Sequence, residues 1–159
     1  MGKTLDIMKE NTISITFVIF TYNSSDLIQK TLDHLITAIK YYPIDHEVIV
    51  VDNNSSDETL DIIKKFCDVN KINITIVENK RQGLSYSRIE GVKRVNKEYI
   101  TFIDDDNFLS QNWIEVVEKI VNENNPDVIG CRTIGITDGE FPKWWNTYQG
   151  AYACGTRFE

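Results

Sequence analysis

Three cysteines in 159 residues, Cys67, Cys131 and Cys154, are too few and too scattered for a disulfide framework, and no two have C-x-x-C metal spacing. They read as small apolar core residues of a reduced, cytosolic protein. No apolar run approaches membrane-spanning length. The start, Met1-Gly2-Lys3-Thr4-Leu5-Asp6, lacks the apolar core of a signal peptide, and Asp6 stands where myristoylation requires Ser or Thr. No basic stripe stands out among 17 bases set against 24 acids, a net charge of -7, which excludes a nucleic-acid footprint. No G-x-G-x-x-G follows the first apolar run, which argues against a dinucleotide oxidoreductase. Internal repeats and low-complexity segments are lacking too. The Asn-x-Ser/Thr sequons at Asn23 and Asn73 carry no meaning in a cytosolic chain.

What is present is an alternation of strand and helix signals, in a chain whose 42% hydrophobic content suffices for one compact core. Ile13 to Thr21 is apolar at nearly every residue, as in a strand covered on both faces. Asn23-Ser24-Ser25-Asp26 offers helix caps, and Leu27, Thr31, Leu32, Leu35, Ile36 and Ile39 follow at helical spacing until Pro43. Glu47 to Val51 is a second strand. Ser55 and Glu58 form a capping box for a helix whose apolar face includes Leu60, Ile63, Phe66 and Cys67.

Ile72 to Val77 alternates as a third strand. Gly83 precedes a helix with Leu84, Ser87, Gly91, Val92 and Val95 facing inward, its small residues allowing close approach to the sheet. Glu98 to Ile103 is the fourth strand. Ser110 caps a helix with Trp113, Val116, Val117, Ile120 and Val121, which stops at Asn124-Asn125-Pro126. Asp127 to Ile136 reads as a fifth strand. This β-α-β-α order predicts an α/β fold: a Rossmann-like, mainly parallel sheet with helices on both faces. Residues 1–137 form that domain. Residues 138–159 lose the periodicity, are rich in aromatics such as Phe141, Trp144, Trp145, Tyr148 and Tyr152, and read as the start of a further region of a longer protein.

The strongest chemical signal is Asp104-Asp105-Asp106-Asn107, directly after the apolar run that ends at Ile103. Three adjacent carboxylates repel one another unless a positive charge sits among them. A divalent cation carrying phosphates is the simplest partner, because Mg²⁺ and Mn²⁺ take hard oxygen ligands. Asp104 and Asp106, two residues apart, are the candidate metal ligands, and Asp105 is placed to meet a ribose hydroxyl. In open α/β sheets ligands bind at the carboxyl ends of the strands. Thr21-Tyr22-Asn23 and Asp52-Asn53-Asn54-Ser55 lie at two more such ends. Tyr22 is suited to stack on a base, and Asp52 or Asn53 to accept an N–H from its edge. Arg81 and Arg88 are the candidate phosphate-side cations. A receiver-type domain also clusters acids at strand ends, but it needs them after strand one, where this chain has Thr21-Tyr22. Gly155-Thr156-Arg157 is a faint nucleotidylyltransferase signal at the wrong end of the chain.

At these residues the chain resembles glycosyltransferase family 2, nucleotide-sugar enzymes of the GT-A fold. The match runs from about Ile13 to Thr137 through Val18-Ile19-Phe20-Thr21-Tyr22-Asn23, Val50-Val51-Asp52-Asn53-Asn54-Ser55-Ser56-Asp57, Glu78-Asn79, Gly83-Leu84-Ser85 and Tyr99-Ile100-Thr101-Phe102-Ile103-Asp104-Asp105-Asp106. The resemblance implies a metal-dependent, inverting transfer of a sugar from a nucleoside-diphosphate sugar to an acceptor hydroxyl, in polysaccharide or glycoconjugate assembly. It implies that Thr21, Tyr22, Asp52 and Asn53 hold the base and that Asp104 and Asp105 approach ribose and phosphate. Asp106, the last acid of the D-x-D element, would be the surest ligand of a Mg²⁺ or Mn²⁺ cofactor.

The chain departs from the family pattern where Asp-Asp-Gly-Ser is common and Asp52-Asn53-Asn54-Ser55 stands instead, and where the common Arg-Asn pair appears as Arg88-Ile89. No segment matches the family's catalytic base, and Glu140 and Glu159 are unsupported candidates. The acceptor is expected to be a sugar or a lipid-linked acceptor, the latter bringing a cytoplasmic protein to the inner face of the cell membrane. The alternative is a nucleotide-diphosphate-binding module without catalytic activity.

Overall fold

The computed structural model describes residues 13–152. The chain divides after Asn124 into two compact units. In the first, β1 (Ser14–Thr21), α1 (Ile28–Tyr41), β2 (Asp45–Asp52), α2 (Thr59–Asn70), β3 (Thr75–Glu78), α3 (Leu84–Val92), β4 (Tyr99–Asp104) and α4 (Trp113–Asn124) follow one another in the order the sequence predicts. The strands form a sheet of order β3-β2-β1-β4, and every neighbouring pair is parallel.

β1 is central and buried along its length after Ser14, which explains its unbroken apolar run. Its alternate residues feed two different layers. Val18 and Phe20 join Ile49, Val51 and Val77 in a cluster on the face covered by α3. Phe17 lies on the other face, its ring centroid 6.2 Å from that of Trp113 in α4. There α1 packs against both α2 and α4. The helices therefore cover both faces, as expected. α1 and α4 are also joined by the Tyr42 hydroxyl, which donates to the carboxylate of the buried Glu118. That bond, with desolvation and the negative charges of Glu118 and Glu115 behind it, pushes the Tyr42 hydroxyl up to about 12.

α3 approaches the sheet as closely as its small residues allow. A Cβ on Gly91 would lie 2.6 Å from the Val18 side chain. Ser87 and Gly91 are buried and Val95 packs on the cluster, but Leu84 and Val92, expected to face inward, are exposed. The contact is a narrow stripe of small side chains, and larger neighbours are turned out of it.

Other expectations need correction. Residues 127–136 form no strand. A strand exists only where a ladder partner accepts it, and here Gly130 and Gly135 interrupt the run while Val128, Ile134 and Ile136 stay exposed. β4, alternating in burial with Ile100 and Phe102 exposed, is one of two edge strands among the described residues, β3 being the other. The caps predicted for α1 and α2 do not form: α1 has Leu27 and α2 Glu58 at the N-cap, neither making a side-chain capping bond. Cys67 and Cys131 are not core residues either: Cys67 is half-buried and Cys131 exposed, both free thiols. Cys154 lies outside the described residues, as do Glu159 and the segment Gly155-Thr156-Arg157.

The second unit carries a single turn of helix, α5 (Trp145–Tyr148), followed by a 3-10 turn. Phe141 stacks on Trp145 at 4.6 Å between ring centroids, and Trp144 lies tilted at 6.2 Å from the same indole. No helix among the described residues is long and apolar enough to cross a membrane.

Candidate functional site

The chain runs outward from β1 to β2 and β3, then returns to place β4 on the other side of β1. That reversal is the switch point at which an open α/β sheet forms a crevice at its carboxyl edge. The register brings the predicted residues there. Thr21 pairs with Asp52 across β1 and β2, and Phe20 pairs with Asp104 across β1 and β4. A cleft of about 290 Å³ opens at this edge. Asp104, Asp105 and Asp106 all line it, together with Thr21, Tyr22 and Asn53. Phe20, Leu84 and Ser87 complete the lining. The last two were read from the sequence only as helix residues, although the Gly83-Leu84-Ser85 match was a signal that the start of α3 belongs to the site.

The three acids are held differently. The Asp105 carboxylate accepts the Tyr22 N–H at 3.2 Å, and its carbonyl accepts the hydroxyl of the buried Thr31 at 2.6 Å. The middle acid is therefore anchored to β1's loop and to α1, with Asp104 and Asp106 on either side of it. Partial desolvation pushes the Asp104 carboxyl above the usual carboxylate range. Arg88 pulls it back, while the negative charges of Asp106 and Asp105 add to the rise. Arg88 is not part of the cleft lining; its guanidinium lies 5.9 Å from the centre of the Phe20 ring and acts on Asp104 through its charge. Arg81 lies 3.5 Å from the centre of the Tyr86 ring and donates to the Tyr86 hydroxyl.

Among the described residues, no three or more His, Cys, Asp or Glu side chains converge to hold a metal on protein ligands alone. The acid run still offers the hard oxygens suited to Mg²⁺ or Mn²⁺, ions that usually take one or two carboxylates and complete their shells with phosphate and water. The residues present fit such an ion.

The two loops beside β1 are bonded to each other. Asn23 N–H donates to Ser55 Oγ at 2.9 Å, Ser24 N–H to Thr59 Oγ1 at 2.8 Å and Ser25 N–H to Asp57 Oδ2 at 3.1 Å. Ser56 N–H returns a bond to Asn23 Oδ1 at 2.8 Å. The Thr59 hydroxyl also donates to Asp57, and with the neighbouring amides this holds the Asp57 carboxyl down at about 2. A depressed carboxyl contributes stability above its unfolded value and loses it as pH falls through the folded one. The Asp57→Asn variant is accordingly expected to melt lower than wild type at pH 7. The gap should narrow between about pH 4 and pH 2, in melting curves taken across that range.

The end of β2 beside the cleft is less fully paired. Asp52 is buried and is not part of the cleft lining; its Oδ2 accepts Ser55 N–H at 3.1 Å, and its Oδ1 is without a partner among the described residues. Thr21 Oγ1 is likewise buried and unpartnered. Tyr22, half exposed, has its hydroxyl bonded by Gln82 at 3.3 Å. Asn53 accepts Gly83 N–H at 3.2 Å, and Gly83, at φ +129°, adopts a backbone conformation that side chains rarely permit.

Residues 16–156 match the family described as Glycosyl transferase family 2. The chain is 32% identical over 114 residues to the glycosyltransferase GlyA of Streptococcus pneumoniae, covering 72% of this chain and 16% of that protein. It is 30% identical over 133 residues to a poly(ribitol-phosphate) beta-glucosyltransferase of Bacillus spizizenii, covering 82% of this chain and 21% of the relative. The chain thus spans about a fifth of these relatives' length. The crystal structure of S. aureus TarS 1-349 in complex with UDP superimposes with a TM-score of 0.70 at 25% identity, over 82% of this chain and 38% of that one. A mannosyltransferase of Pyrobaculum calidifontis in complex with GDP-Man and Mn²⁺ shares the fold, with a TM-score of 0.63 at 22% identity over 82% of this chain and 38% of its own.

Proposed function

The chain belongs to glycosyl transferase family 2, and on that premise we propose that it is the donor-binding portion of an enzyme that transfers a sugar, with inversion, from a nucleoside-diphosphate sugar to an acceptor hydroxyl. The observation that carries this reading is the single cleft at the switch point, which gathers Asp104, Asp105 and Asp106 with Thr21, Tyr22 and Asn53 from separate strand ends. Relatives that bind UDP, and one that binds GDP-Man with Mn²⁺, support it.

In this proposal Asp104 and Asp106 hold a divalent cation, Mg²⁺ or Mn²⁺. When bound, it would neutralise the charge that grows on the leaving diphosphate. Asp105, fixed through Tyr22 and Thr31, sets the spacing of the other two acids and faces the ribose. Tyr22 stacks on the base, while Thr21, Asp52 and Asn53 meet its polar edge. Arg88 contributes positive charge on the phosphate side. The fold's part in the rate is positioning and charge stabilisation. The reading places the reaction in polysaccharide or glycoconjugate assembly, in the cytoplasm at the inner face of the membrane, with a sugar or lipid-linked acceptor.

One observation favours a second reading. Among the described residues, the acids lining the cleft are Asp104, Asp105 and Asp106 alone, so none is left to deprotonate an acceptor. A module that binds the donor without turning it over would have this lining.

A thermal-shift screen of nucleoside diphosphates with and without Mn²⁺ tests the proposal. A ligand at a hundred times its Kd stabilises a fold by about 2.7 kcal/mol, which raises the melting point of a domain this size by roughly 5–10 °C. The rise is expected to require Mn²⁺. No shift with any nucleoside diphosphate would sink both readings, and donor binding without hydrolysis or transfer would select the second.

A further inference from the structure

The turn that carries the acids is closed by its own backbone, with Asn107 N–H donating to the Asp104 carbonyl at 3.0 Å. That bond encloses Asp105 and Asp106 but ties neither to a neighbouring element. Three residues of α1 supply the tie. Thr31 bonds the Asp105 carbonyl, as described above. Further along the helix, the half-buried His34 has Nδ1 3.1 Å from the Leu109 carbonyl. A carbonyl only accepts, so Nδ1 carries the proton and donates it. The His34 ring also stacks on Phe108, with 5.2 Å between centroids and 27° between planes. The Lys30 ammonium lies 4.4 Å from the centre of the same Phe108 ring.

This grip falls on both sides of Asp106. Thr31 holds the residue before it, while His34 and Lys30 hold Phe108 and Leu109 after it. Asp106 makes no hydrogen bond with another described residue, so its carboxylate is placed by the backbone on either side. Adjacent acids repel one another and favour opening of the turn until a cation arrives. A turn already held in place spares that cation the cost of ordering it.

We propose that His34 is a positioning residue of the cation site. Its N–H to the Leu109 carbonyl holds Asp106 in place relative to Asp104, acting through the backbone of the turn rather than on the acids. The inference rests on the nucleotide-sugar reading, in which those two acids hold the metal that accompanies the donor.

Two variants of the full chain separate this role from packing. His34→Phe keeps a ring to stack on Phe108 but has no N–H for Leu109. His34→Asn loses the ring but puts an amide N–H near the place of Nδ1. Calorimetry follows the binding of UDP, CDP, GDP and ADP with and without Mn²⁺. In His34→Phe the gain in affinity brought by Mn²⁺ is expected to fall roughly tenfold, the lower end for outer-shell partners of a metal, with binding in the absence of Mn²⁺ unchanged. His34→Asn is expected to recover most of that gain. A packing role predicts the opposite order, since Phe preserves the stack and Asn does not. That opposite order, an equal loss in both variants, or a full gain in a folded His34→Phe would overturn this inference alone. In the wild type, nitrogen NMR of the neutral imidazole is expected to show the proton on Nδ1. A proton on Nε2 alone would overturn the inference with no variant needed. A wild type that binds none of the four nucleotides would overturn the nucleotide-sugar reading, and this inference with it.

Discussion

Replacing Asp106 by alanine is expected to abolish the Mn²⁺-dependent part of nucleotide-sugar binding and to leave the fold intact. Asp106 is exposed, lines the cleft and makes no hydrogen bond with another described residue, so its loss removes no packing. Asp105 is the acid tied into the scaffold, through Tyr22 and Thr31. With Asp106 gone, Asp104 alone would have to hold a cation while already disfavoured as an anion by its partial desolvation. Outer-shell partners of metal ligands are worth 10- to 100-fold, so losing a ligand itself should cost roughly a hundredfold or more in donor affinity with Mn²⁺ present. Titration calorimetry with and without the metal measures this. An affinity for the donor equal to wild type would refute the assignment of Asp106.

The second large effect is on folding. Gly91→Ala sets two opposed magnitudes against each other. Alanine gains about 1 kcal/mol of helix propensity over glycine. Its Cβ, however, would stand 2.6 Å from Val18 Cγ1, with Phe20 at 3.4 Å and Val51 at 3.5 Å behind it. Val18 is β-branched, fully buried and central, so it has nowhere to turn. Overpacking of this kind costs typically about 1–3 kcal/mol, and the steric cost wins. Net destabilisation of about 1–2 kcal/mol is expected in denaturant titrations, with Gly91→Val worse. Since α3 also carries Leu84 and Ser87 into the cleft, nucleotide affinity should fall in the same variants. A Gly91→Ala protein as stable as wild type would show that α3 can withdraw from the sheet without cost.

How much of this was legible depended on how local the signal was. β1 was readable because a central parallel strand needs apolar residues on both faces, and Asp104, Asp105 and Asp106 because like charges in a row demand a partner. The closeness of α3 was announced by Ser87 and Gly91. Ser55 was misread as a helix cap, since its partner Asn23 lies some thirty positions away and leaves no mark on local spacing. The direction of the Asn53 amide depends on where Gly83 arrives, which composition does not contain. The fifth strand was misjudged because apolar alternation describes a segment's suitability for pairing, and pairing requires a second strand.

The insertion of β4 beside β1 has a consequence for biogenesis. β1, β2 and β3 can assemble from the first 78 residues, but the acids arrive only with β4, whose pairing with β1 spans more than eighty positions. Contacts of that sequence separation form slowly. A nascent chain released as far as β3 would hold a three-stranded sheet with half a crevice and none of the three acids. Any property that needs all three acids would therefore appear during synthesis only when that one late strand docks.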